Sequence, residues 1–158
     1  KSAASDHPRD RTKSGGGAGL NPEEWFIRLT VASDDMLSRG TLFGRLSDSV
    51  DGLDQHDLEE LAPFGDRYLT TVFPHQEWGT DAWSYASDYR QARAGAGGQW
   101  DFEIRSDSPR QVTLSWPGEG GPVDEILANS RLVDRETGTV IDPSVQSSTT
   151  LTMAAAKN

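Results

Sequence analysis

Residues 25–32 read Trp-Phe-Ile-Arg-Leu-Thr-Val-Ala, with bulky apolar side chains at Trp25, Ile27, Leu29 and Val31. A period of two over eight residues sends alternate side chains to opposite faces of an extended chain. The segment is therefore a strand with one buried face rather than an amphipathic helix. The same alternation returns in Trp100 to Arg105 and in Val112 to Trp116. Between them the polar stretch Ser106 to Arg110, with Pro109, predicts a hairpin turn. Tyr68 to Phe73 is rich in β-forming residues and stops at Pro74. Leu132-Val133 and Val140-Ile141 flank a second predicted hairpin, in which Gly138 takes the left-handed position. Ser148 to Met153 is a last strand, and Ile126 to Val133 fits either a strand or a helical turn. Asp54 to Leu61 alone reads as helical, ended by Pro63 and Gly65. Seven to nine short strands between turn signals predict an all-β fold. The expected architecture is an antiparallel β-sandwich, jelly-roll or immunoglobulin-like, over residues 22–158.

Residues 1–21 have almost nothing to bury. They carry Lys1, Arg9, Arg11 and Lys13 against Asp6 and Asp10, and a glycine-rich run from Ser14 to Gly19. Such a composition cannot offset ordering entropy by burial, so the expectation is an extended N-terminal arm, flexible or partner-bound. Ser14 to Gly19 lacks the Lys-Ser/Thr ending of a phosphate cradle, and no strand leads into it. The whole chain has 158 residues, 15 basic and 25 acidic, and a net charge of −10. That balance excludes nucleic-acid backbones as partners of the folded body, because they need clustered Lys and Arg. With no cysteine there is no disulfide scaffold, thiolate zinc site or cysteine nucleophile. No apolar run approaches the roughly 18 residues of a transmembrane helix.

The acidity is local. Ser33 to Asp66 holds nine carboxylates and two cations, Arg39 and Arg45, a net of −7. Within it Asp48, Asp51, Asp54 and Asp57 recur every three residues. Closely spaced carboxylates with loop carbonyls are what a calcium cofactor takes as ligands. The spacing is not that of an EF-hand, and the competing reading is a solvated loop whose Asp54 caps a short helix. Trp25, Trp100 and Trp116 are in phase with aliphatic neighbours and are expected in the core. Trp78, Trp83 and Tyr85 lie in an aperiodic segment. They form either a recognition patch, as in a carbohydrate-binding module, or a lid over one end of the sandwich. His7, His56 and His75 have no metal-binding spacing, His75-Gln76-Glu77 means nothing alone, and no Gly-x-Ser-x-Gly elbow is present.

In order along the chain stand Trp25-x-Ile27-x-Leu29, Phe43-Gly44, Asp51-Gly52-x-Asp54-x-x-Asp57, Phe73-x-His75-x-x-Trp78 and Tyr85-x-x-Asp88-x-Arg90. Trp100-x-Phe102, Val112 to Trp116, Leu132-Val133-Asp134 and Gly138-x-Val140-Ile141-Asp142 complete the series. It resembles the poorly characterised β-sandwich modules found near the C-terminal ends of large secreted or surface-attached bacterial proteins. The resemblance implies a non-enzymatic structural or accessory module in an extracellular, cell-surface or periplasmic setting, binding other protein subunits, with no catalytic residues to carry over. It also implies one further strand after Met153, either missing or supplied by another chain.

Overall fold

The computed structural model describes residues 21–154 apart from Ala82. The expected arm and the run at Ser14 to Gly19 lie outside the described residues, but for Asn21. The described chain is all-β in several sheets, with one short α-helix and a single 3-10 turn at Gln76–Trp78. The main sheet is built from β1 (Trp25–Ala32), β2 (Leu37–Leu46), β5 (Ser87–Gln91), β7 (Arg110–Ser115) and β11 (Ser148–Met153). Its order is β11-β7-β1-β2-β5, and β8 (Gly118–Gly120) also pairs with β1. A second sheet runs β4-β3-β6, from β4 (Ser84–Tyr85), β3 (Leu69–Pro74) and β6 (Glu103–Ser106). β9 (Leu132–Val133) and β10 (Val140–Ile141) form a separate hairpin, and α1 (Val123–Ala128) precedes it. No helix among the described residues is long and apolar enough to cross a membrane.

The alternation of β1 is reproduced in its burial. Trp25, Ile27, Leu29 and Val31 are buried, and their neighbours are half-buried. Across the sheet Val112, Leu114 and Trp116 face the same side, and Leu69, Phe73 and Tyr85 from the second sheet enter the same core. Trp25, Phe43 and Trp100 meet with ring centroids 5.4 to 6.0 Å apart. The indole of Trp116 donates to the carbonyl of Pro143 at 3.2 Å, which satisfies its buried N–H. Trp100 is only half-buried, precedes its strand, and donates its indole N–H to Asp88 O at 3.2 Å.

Several expectations change. The stretch Ser106 to Arg110 does not close a hairpin: β6 pairs with β3, and β7 pairs with β1 and β11. The turn is a corner between sheets, held by Ser106 Oγ donating to Ser108 O and by Arg110 on Asp107 at 2.6 Å. The main sheet is not purely antiparallel, because β5 runs parallel to β2 from Leu42↔Ser87 to Leu46↔Gln91. Asp54 to Leu61 forms no helix. Its carboxylates bond main-chain N–H groups of the loop and of β5, which competes with helical pairing. Ile126 lies in α1, whereas Leu132 and Val133 lie in a strand. The second predicted hairpin is present, with Gly138 at φ 72° and its N–H on Asp134 O.

Candidate interaction surface

The connection from β2 to β3, residues 47–68, contains all four aspartates of the three-residue series. Asp57 is buried, and each of its carboxylate oxygens takes a main-chain N–H: Tyr89 at 2.9 Å and Asp54 at 2.9 Å. Asp54 accepts from Val50 and His56, both at 2.7 Å. Asp51 accepts from Gln91 N at 3.2 Å and pairs with Arg93 at 2.8 Å. Asp48 faces His56 Nε2 at 3.2 Å. The four are thus drawn to different partners. Among the described residues no group of three or more His, Asp or Glu side chains is disposed to hold a metal ion.

Their common effect is on an edge. β5 is the last strand of the main sheet, and the N–H groups of Tyr89 and Gln91, two residues apart, point the same way along it. Asp57 and Asp51 occupy both. Ser87 Oγ bridges the same edge, donating to His56 O and accepting from Leu58 N. An edge strand left bare is a template for unwanted pairing, and here carboxylates cover it. Farther along, Glu59 bridges to Tyr85, so the connection also lies along β4. Burial pushes the Asp57 carboxyl above its ordinary value, with the N–H bonds acting the other way.

Beside this edge lies a polar knot. His75 places Nδ1 at 2.6 Å from Glu77 and Nε2 at 3.0 Å from Asp88, which is 2% exposed. Arg90 reaches Asp88 at 3.3 Å and lies 4.4 Å from the centroid of Trp100. Trp78 stacks on His75 with centroids 3.7 Å apart. The bond from His75 lowers the Glu77 carboxyl, and burial lowers Arg45. Arg45, Asp51, His75, Trp78 and Arg90 line a cleft of about 340 Å³. Its charged groups pair with one another. The knot ties the end of β3 to β5.

The three loop aromatics separate. Tyr85 is 0% exposed and belongs to the core, with its hydroxyl 2.6 Å from Thr80 Oγ1, so its ring offers no face to a sugar. Trp78 is half-buried between His75 and Tyr85. Only Trp83 stands out, at 61% exposed. Sequence reading missed a different set. Leu58, Leu61 and Phe64, on the same pinned connection, are 62%, 75% and 95% exposed, and Val50 and Leu53 are exposed with them. The available signal was five large apolar residues inside the most acidic stretch of the chain. Comparison with family models, curated proteins and solved structures found no match to the chain.

Proposed function

We propose that the described body is a two-layer β-sandwich and that the chain is a non-catalytic structural or accessory module. It binds another protein in a secreted or cell-surface assembly. The observation that carries this reading is the set of Leu58, Leu61 and Phe64, exposed on a connection that Asp51 and Asp57 tie to β5 and the Glu59 bridge to β4. Scattered exposed apolar residues are ordinary, but several on one short connection fixed in place mark a contact surface. Fixing the loop beforehand lowers the ordering cost of association. Glu59 and Asp66, exposed on the same connection, favour a partner surface with an apolar centre and a basic rim. The extracellular setting follows from the family resemblance. The glycan-binding alternative retains Trp83 as its one well-exposed loop ring.

A photo-crosslinking residue at position 64 or 61, expressed in the native assembly, tests the proposal. Adducts to one other protein are expected there and not from position 145, where Val145 is equally exposed on a different turn. Absence of adducts at 61 and 64, or equal labelling from 145, overturns it.

A further inference from the structure

The second sheet and the β9–β10 hairpin stop short of each other over a common floor. β6 pairs with β3 on one side and with no other strand among the described residues, and the hairpin pairs only within itself. Between them runs a trench of about 810 Å³, lined by Ile104, Leu114, Leu132, Ile141, Leu151 and Met153. Past Trp100 and Phe102 lies a second hollow of about 840 Å³. Each has the size of a ligand pocket rather than of a packing defect. The ion pair of Arg135 with Asp101, at 2.6 Å, joins the hairpin to the segment before β6 where the two hollows meet.

We infer that this trench receives an extended segment of another protein, added as a strand along the free edge of β6 with apolar side chains at alternate positions. The edge presents unpaired main-chain groups, which an extended peptide satisfies and a lipid tail does not. Alternate side chains of such a strand point down to Leu114, Leu151 and Met153, and the others face solvent. The four residues of β6 span about 13 Å, enough for two downward anchors. The added strand would join β4-β3-β6 to the hairpin as one continuous layer over the main sheet.

The other edges are less suited. Those of β5 and β4 are occupied by Asp57, Asp51 and the Glu59 bridge. β11 keeps an open edge, but a strand added there would widen the main sheet and leave the trench empty. This surface is distinct from the row at Leu58, Leu61 and Phe64, so its failure leaves the crosslinking test at position 64 intact.

The probe is a fluorescein-labelled peptide of alternating valine and threonine with lysine at both ends. Saturable fluorescence anisotropy is expected, with the β6 amides that do not bond β3 slowed in hydrogen exchange by about tenfold or more. Thr149→Trp, which fills the trench from β11, is expected to weaken binding by about tenfold with an unchanged melting midpoint. Should that variant fail to fold, hydrogen exchange on the unaltered chain decides. The inference is overturned by absence of saturable binding, by protection appearing at β11 and not β6, or by a trench that takes a fatty acid while refusing the peptide.

Discussion

Asp57→Ala removes the acceptor that covers the middle of the β5 edge. The wild-type carboxylate holds two main-chain N–H groups at 2.9 Å each, and the residue is buried. A buried donor left without a partner costs about 1–3 kcal/mol, so two orphaned N–H groups cost about 2–6. Burial of the charged carboxylate acts in the opposite direction, which brings the expected loss to about 2–4 kcal/mol. For a domain of this size that is a fall of about 6–12 °C in melting midpoint. Urea denaturation gives the free energy, and size-exclusion chromatography reports whether the bared edge promotes association. The pH dependence supplies a second, signed readout. The folded-state pKa of Asp57 is raised, so between the unfolded and folded values the folded chain holds a proton that the unfolded chain releases. Its contribution to stability is therefore fully present below the unfolded value and is lost as pH rises through the folded one. The stability of wild type relative to Asp57→Asn should shrink across that interval, other carboxylates cancelling in the comparison. A loss in Asp57→Ala below about 0.5 kcal/mol, within the range of ordinary surface changes, would refute the edge-covering role. So would a relative stability that grows with pH.

Asp88→Ala takes a hydrogen-bond partner from both His75 Nε2 and Arg90 in the polar knot and should cost about 1.5–3 kcal/mol by urea denaturation, the range for hydrogen bonds to charged groups. Gly44→Ala should abolish soluble expression, because an added Cβ would lie 2.1 Å from Trp25 O and 2.7 Å from Phe26 Cα, both main-chain atoms. Phe64→Ser should change stability by no more than about 0.5 kcal/mol in calorimetry, and should reduce crosslinking from position 61. Excess chelator should leave the melting curve unchanged, since Asp51, Asp54 and Asp57 already accept main-chain donors and Asp48 faces His56. A downward shift on chelation would restore the calcium reading.

β1 and β7 were legible because their fully buried positions are all apolar, and the Gly138 hairpin because its turn chemistry is local. β2 and β5 were not. The buried positions of β2 include Thr41, Gly44 and Arg45, and those of β5 are Ser87 and Asp88, so neither shows apolar alternation. Each polar residue there is explained by a tertiary partner. Thr41 donates to Thr71 O at 2.7 Å between the two sheets, Arg45 donates to the carbonyls of Gln91 and Gly97, and Asp88 meets His75. No local pattern announces such partners. The same holds for the corner at Ser106 to Arg110, where two adjacent alternating segments join different sheets. For the surface, spacing identified the aspartates as a group but not their use, because main-chain acceptors and metal ligands call for the same residue. The knot was visible only as Phe73-x-His75-x-x-Trp78 and Tyr85-x-x-Asp88-x-Arg90, whose convergence depends on β3 and β5 being brought together.

β1 and β11 flank β7, each antiparallel to it, and therefore run in the same direction. Thr30 and Ser148 both align with Ser115, which puts Trp25 and Met153 at opposite ends of the sheet, about 33 Å apart along the strands. Tension applied between those two residues pulls β1 and β11 lengthwise past β7. The ladders on both sides of β7, three residue pairs with β1 and six with β11, are then loaded in shear, so their hydrogen bonds resist together rather than parting one at a time. A module connected in this way would transmit force along its strands with little extension before it yields.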